Sequence, residues 1–313
     1  MHKRLINELR LSFRIQPQGP LLIKSGREAG ADPTLLDMNF VRTTHAELGR
    51  TVYLPGSSLK GAIRSYCEKI GRTVGLKVCN PLDVRDSCGR RLERKAKRAT
   101  GAEIYRQLCP ICRIFGHTVM SSHIRFDDAY PTPETVAMVN ETEERDGVAI
   151  DRVSGAVAVG PFQLEVVTQG EFAASLTLRN FQLWQVGLLA VALRDMADGR
   201  VPLGFGRSRG LGRVRLRYDR LEIAYPGRFH DDGGQKFDQA LYGVTALMSA
   251  ADAERYGFYP EEPLPLPVPT TPVSEWGRVS LIYEDPEAIT QLLKATVRPW
   301  GAYVTAMIQG GDR

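Results

Sequence analysis

Leu203-Gly204-Phe205-Gly206-Arg207-Ser208-Arg209-Gly210-Leu211-Gly212-Arg213 joins a helical segment to an alternating strand. Glycine lets a backbone approach a ligand closely and offer its N–H groups, because no Cβ stands in the way. Arginine adds a permanent, planar charge that suits phosphate. Together they describe a loop that grips a sugar–phosphate backbone without reading bases. A tight core turn is the alternative, and it gives no reason for Arg207, Arg209 and Arg213. On the upstream side, residues 182–197 carry a helical pattern with Gly199 just past its end. On the downstream side, Val214, Leu216 and Tyr218 alternate with Arg213, Arg215 and Arg217, a strand with an apolar face and a cationic face.

Further out the same alternation recurs. Phe172, Ala174, Leu176 and Leu178 mark a strand, and residues 122–130 another. Residues 146–156 read as a hairpin-like excursion with a Ser-Gly turn. Near the start, Leu9, Leu11, Phe13 and Ile15 alternate with Arg10, Ser12 and Arg14, a half-buried strand with a basic outer face. A segment rich in Gly, Asp and Thr follows from Gln16 to about Arg50, too long for a mere connection. Then comes Pro55-Gly56-Ser57-Ser58-Leu59-Lys60-Gly61-Ala62-Ile63-Arg64, where Ser57 or Ser58 is a natural N-cap. Ala62, Ile63, Tyr66, Cys67 and Ile70 fall on one face of the helix, which Gly71 ends. After Tyr225 the patterns weaken: residues 235–251 and 287–298 read as helices, and the proline-dense 260–272 as extended or linker-like. Strand, helix, strand, strand, helix, strand predicts an α+β chain with a ferredoxin-like, RNA-recognition-like antiparallel sheet carrying large insertions. Residues 1–225 hold this pattern and 226–313 form a C-terminal extension.

Cys109-Pro110-Ile111-Cys112 brings two thiolates to one metal through a tight turn. Cys79 and Cys88, on the other side of the basic run 90–98, complete a tetrahedral Zn²⁺ site that staples an insertion at about 76–118. Unmetallated thiols and a redox pair are the alternatives, but the βαβ context of a redox C-x-x-C is missing. His117 is an alternative ligand to one cysteine, and Cys67 falls in the helix core. Four protein ligands leave no open position, so this metal is structural. Asp127 and Asp128 suit turn or capping roles better than a metal. The run 90–98 is either a solvated helix face or a duplex contact, and His45 either a proton-transfer group or an inert loop residue. With 313 residues, 43% hydrophobic, the chain builds a sizeable core, and its net charge of +5 is mildly basic. Residues 1–14 lack the apolar region of a signal peptide, and no run approaches the roughly 18 apolar residues of a membrane span. A cytoplasmic setting with reduced thiols is expected.

Three segments in this order resemble the RAMP proteins of CRISPR systems. Residues 55–64 resemble their early signature, and residues 204–212 their glycine-rich loop. Cys109-Pro110-Ile111-Cys112-Arg113-Ile114-Phe115-Gly116 resembles a motif in a zinc-containing branch of the type III backbone subunits. The resemblance covers about Leu9 to Arg217 and includes residues 146–152. It implies a palm that polymerises along a guide (CRISPR) RNA, and a thumb hairpin at about 136–166 that wedges into the guide–target duplex. It implies a target RNA, other backbone and capping subunits, and no membrane as partner. It further implies endoribonuclease activity in antiviral defence, dependent on Mg²⁺ or Mn²⁺ and on an acidic residue between the first strand and first helix. Asp37 fits that place best and Asp32 second; the loop departs from the family in spacing, so the choice stays open. The implied RNA contacts are Ser57, Ser58, Lys60 and Arg64 at the helix start and Val148, Ile150 and Arg152 in the hairpin. Gly204, Gly206, Arg207, Arg209, Gly210 and Gly212 complete them. A non-catalytic guide-binding scaffold and a metal-independent RNA-processing endonuclease with a histidine base are the alternatives; the cysteines and the hairpin argue against the latter.

Overall fold

A computed structural model describes residues 3–26, 38–83, 85–96, 98–228 and 234–310. The first half runs β1 (Glu8–Pro17), β2 (Arg42–His45), β3 (Gly49–Val52), α1 (Gly56–Thr73), α2 (Cys88–Ala96), α3 (Gly101–Arg106), α4 (Pro110–Phe115), β4 (Ile124–Phe126), β5 (Tyr130–Pro131) and α5 (Val136–Asn140). The second runs β6 (Glu143–Ile150), β7 (Val157–Val166), β8 (Phe172–Arg179), α6 (Leu183–Ala197), β9 (Val214–Pro226), β10 (Ala240–Leu241), α7 (Ala250–Tyr256), β11 (Leu264–Pro265), β12 (Val273–Glu275), β13 (Arg278–Tyr283), α8 (Pro286–Ala295) and α9 (Val297–Gln309).

The architecture is mixed α+β, and its largest layer is an antiparallel sheet in the order β12-β13-β9-β1-β8-β4, with β5 also on β8. The period-two pattern of β1 decides the layering. Leu9, Leu11, Phe13 and Ile15 are buried and lie opposite Leu178, Leu176, Ala174 and Phe172 of β8. A bulge between Ser12 and Phe13 shifts the register with β9 by one residue yet keeps Leu216, Leu221 and Ile223 on the same buried face. The other face is charged. Arg14 pairs with Glu171 and Asp219, Arg217 with the same two acids, and Arg220 and Arg278 with Glu222.

Helix α6 is apolar on nearly every face because it is covered on nearly every face, Arg194 alone among its residues being exposed. Trp184 stacks on Tyr303 of α9 with centroids 4.1 Å apart and planes 6° from parallel. A Cβ at Gly187 would lie 2.2 Å from the Thr296 carbonyl oxygen at the α8–α9 junction, so glycine is what allows the helices to close. The start of α6 is capped from afar: Glu261 accepts from the N–H groups of Leu183 and Trp184 at 2.9 and 2.8 Å. Burial pushes its carboxyl up to about 7.

Two sequence readings of the tail need correction. Residues 235–251 are not one helix. Phe237, Leu241, Val244 and Leu247 are buried at helix-like spacing. Their backbone is instead held by distant partners: Tyr242 N–H donates to the Tyr225 hydroxyl at 3.0 Å and Val244 N–H to the Phe181 carbonyl at 2.7 Å. Tertiary hydrogen bonds override the local pattern here. The helix read at 287–298 is two helices that meet at Thr296.

Candidate nucleic-acid interface and metal centre

The four expected cysteines converge. Cys88 opens α2, Cys109 is the N-cap of α4 with Cys112 one turn inside, and Cys79 lies beyond the end of α1. All are buried, and their sulfurs lie within 4.8 Å of one another. Cys79 Sγ is 3.6 Å from Cys112 Sγ and 3.7 Å from Cys109 Sγ. A disulfide needs about 2.05 Å, and all five cysteines are free. Tetrahedral zinc with Zn–S bonds of about 2.3 Å separates its sulfurs by about 3.8 Å. The donor set therefore fits a thiophilic metal. The hydrogen bonding of Cys112 holds the Cys109 thiol far below its ordinary range, and that of Cys109 pushes Cys112 up. All four release their protons together only around a shared cation.

Two guanidinium groups face these sulfurs. Arg64 Nη2 donates to Cys112 Sγ at 3.7 Å and Arg91 Nη2 to Cys88 Sγ at 3.5 Å. Four thiolates around a divalent ion carry a net charge of −2, which these cations offset. Arg64, expected among the RNA contacts, is thus turned inward, donating also to Glu68 at 3.0 Å and the Gly116 carbonyl at 3.1 Å. The role of Arg91 went unread, although its place three residues after Cys88 on a helix carried the signal. His117 is not in the ligand group; its Nδ1 accepts from Val119 N–H at 3.1 Å, and burial holds its imidazole below the ordinary range. Cys67 stands apart in the buried face of α1. Of the basic run, Arg90 pairs with Glu93 at the surface, Lys95 donates to Gln107, and Lys97 lies outside the described residues.

The glycine turn divides its glycines between two tasks. A Cβ on Gly204 would lie 2.1 Å from the Leu22 carbonyl oxygen, and one on Gly212 2.0 Å from that of Leu203, with both φ values positive. These two seat the turn on the preceding chain: Phe205 N–H donates to Leu22 O and Gly212 N–H to Pro20 O, each at 2.8 Å. Among the described residues, the tip makes no such backbone bond to the preceding chain. Arg207–Arg209 form one exposed 3₁₀ turn between Gly206 and Gly210. The guanidinium carbon of Arg209 lies 5.6 Å from the ring centre of Phe162 and 5.9 Å from that of Phe205.

Phe162 belongs to β7, and β6 and β7 form the expected antiparallel hairpin. Asp151 shapes its turn by accepting from Val153 and Ser154 N–H at 2.9 and 2.6 Å. Beyond the root, Val148, Ile150, Val153 and Val157 are 49%, 62%, 97% and 58% exposed, an apolar tip that nothing among the described residues covers, and Arg152 is exposed among them. The root is fixed by Glu165, which accepts from Phe40 N–H and Thr142 Oγ1 at 2.8 Å each and pairs with Arg42. Burial pushes this carboxyl up, but the donors of Arg42, Phe40 and Thr142 together hold it below its usual range.

Helix α1 starts differently from the reading. Pro55 is the N-cap and no side chain of the segment caps it; Asp128, from 72 residues away, accepts from Gly56 N–H at 2.7 Å. Ser57 is exposed and Ser58 half-buried, so neither hydroxyl is engaged as N-cap. Ser57 and Lys60 line a cleft of about 380 Å³ with His123, Arg125 and Arg179. Burial, then the charge of Arg64, lowers the Lys60 ammonium from its ordinary value. Asp127 pairs with Arg125 and accepts from Ser175, so the two aspartates do not converge on a metal. His45 Nδ1 accepts from Glu47 N–H at 3.3 Å within its own turn. Asp32 and Asp37 lie outside the described residues; on either side of them, Ser25 N–H donates to Asn39 O at 2.9 Å.

Among the described residues, no helix is long and apolar enough to cross a membrane. A family model described as the RAMP superfamily matches residues 14–215, from β1 into β9, and so spans the cysteines, the hairpin and the glycine turn. Comparison with the curated proteins finds no match.

Proposed function

Because the chain belongs to the RAMP superfamily, we propose that it is a guide-RNA-binding backbone subunit of a type III CRISPR interference complex, in the zinc-containing branch, that cleaves bound target RNA at regular intervals. The observation that carries this reading is a juxtaposition. An exposed, arginine-bearing turn lies against a hairpin at Phe162, just beyond its root, and the apolar tip of that hairpin is bare. A grip on phosphates beside an apolar wedge suits a protein that holds a paired polynucleotide and opens it at one step. The palm is then residues 1–225 with a ferredoxin-like core, the thumb is the hairpin at about 136–166, and residues 226–313 are an extension. Other backbone and capping subunits and a target RNA are the remaining partners.

In this reading Ser57, Ser58 and Lys60 meet guide phosphates through their side chains, since Asp128 and the Pro55 carbonyl already engage the N–H groups of Gly56, Ser58 and Leu59. Cys79, Cys88, Cys109 and Cys112 would hold a structural Zn²⁺, which would keep the insertion against α1. Cleavage rests on Asp37, or on Asp32. Either aspartate would hold a Mg²⁺ or Mn²⁺ ion, which would supply charge neutralisation at the scissile phosphate. The hairpin's task is geometric: displacing a nucleotide brings its 2′-hydroxyl into line with the adjacent phosphate.

RNA copurified with the native protein is expected to be a discrete small species of repeat–spacer form. Its affinity falls steeply with salt, and Arg207→Ala lowers the log–log salt slope by about 1. A flat salt response in a titration overturns the phosphate grip. Asp37→Ala is expected to lower target cleavage by at least about 100-fold with guide binding unchanged, measured on a reconstituted complex. Unchanged cleavage removes Asp37 from the mechanism, and cleavage that survives EDTA favours the metal-independent alternative.

A further inference from the structure

We propose that Arg209 is a positioning residue that pins the glycine turn to the hairpin, so that grip and wedge keep one relative placement. Cross-strand pairing sets Gly147 of β6 opposite Phe162 of β7. A Cβ on Gly147 would lie 2.4 Å from the Phe162 ring, so the ring lies across bare backbone and is fixed from that side. Arg209 lies over the ring, 5.6 Å from its centre, and Phe205 of the turn lies on Arg209 at 5.9 Å. Both distances are within cation–π range. Among the described residues Arg209 makes no ion pair, whereas Arg14 and Arg217 on the sheet face pair with Glu171 and Asp219. Its charge is engaged by rings.

The turn end of this contact is rigid, because Phe205 and Gly212 are hydrogen bonded to Leu22 and Pro20. The hairpin end has two ties. Glu165 holds the root, and Phe162 holds a point three residues further out. Val148, Ile150 and Arg152 lie beyond the second tie and are exposed or half-exposed. The lean of the tip is therefore set at Phe162. A guanidinium does this through its flat face, which an ammonium lacks.

The pin is testable without RNA, and only its consequence rests on the function proposed above. Hydrogen exchange of residues 147–160 in the RNA-free protein is expected to accelerate about threefold to tenfold in Arg209→Ala. Arg209→Lys and Phe162→Leu should match it, and the double variant Arg209→Ala with Phe162→Leu should exceed neither single one. With RNA bound, Arg209→Lys keeps the wild-type salt slope while 2-aminopurine fluorescence along the target spreads over neighbouring positions. Wild-type protection in Arg209→Ala or in Arg209→Lys overturns the pin. So does a salt slope lowered by about 1 in Arg209→Ala with hairpin exchange unchanged, since Arg209 then contacts phosphate only. If the wild-type protein binds no RNA yet the exchange results hold, the functional reading falls and the pin stands.

Discussion

The four-cysteine cluster is expected to hold one zinc per chain, and replacing Cys109 by serine is expected to lower that content to below about a tenth and to melt the insertion around it. Structural zinc contributes on the order of 10–16 kcal/mol of apparent binding free energy at neutral pH, comparable with the whole stability of a domain at about 5–15 kcal/mol. Cys109 also caps α4 by accepting from Cys112 N–H at 3.5 Å, and its backbone N–H donates to Cys88 Sγ; serine keeps the backbone donor and is itself a good N-cap, so the loss reads out the metal ligand alone. The damage reaches α1 only indirectly, since Arg64 donates to Cys112 Sγ, a sulfur that shifts when the cluster loses its metal. Chelation should reproduce the effect, with a melting temperature that depends on free metal concentration. Cys67→Ser, one residue type at a site away from the centre, should leave metal content unchanged. Elemental analysis beside thermal melting decides the matter, and a Cys109→Ser protein with full zinc and wild-type stability overturns this account.

The second large effect is Gly212→Ala. At φ +89° the added methyl is strained, and it would sit 2.0 Å from the Leu203 carbonyl oxygen. That atom is backbone. Leu203 also donates its N–H to Gly212 O at 2.8 Å, so neither side can retreat without breaking the pair that closes the turn. A destabilisation of about 3 kcal/mol or more follows, a fall in melting temperature of about 6 °C or more. Gly210→Ala is the control. Its φ is +84°, but nothing lies within 4 Å of the new methyl, so only the backbone term of about 1–2 kcal/mol remains. Chemical denaturation of the two variants separates crowding from backbone strain, and equal losses would contradict the steric argument.

These contrasts show what the chain reveals in one dimension. Period-two alternation gave β1, β8 and β9 with their buried faces, and the apolar face of α1 was plain from Ile63 and Cys67. The C-x-x-C turn pointed to the four-cysteine cluster because two of its ligands are neighbours in sequence. Partners supplied from far away were not legible. Asp128 caps α1 in place of Ser57 or Ser58, and Glu261 caps α6. Arg64 shares a helix with Lys60 yet turns toward Cys112, which no local pattern encodes. The glycines of residues 204–212 look alike as letters, but Gly204 and Gly212 serve close packing while Gly210 is open. For the candidate site, the hairpin was visible and its tie through Phe162 was not, since that contact joins segments 47 residues apart.

Helix α6 has the sheet on one side and the α8–α9 pair on the other. Strand β13 meanwhile carries the tail into the sheet beside β9. The tail and the earlier part of the chain thus share a single oily interior, with Trp184 lying flat against Tyr303 inside it. Among the described residues, the packing offers heat no seam near residue 226.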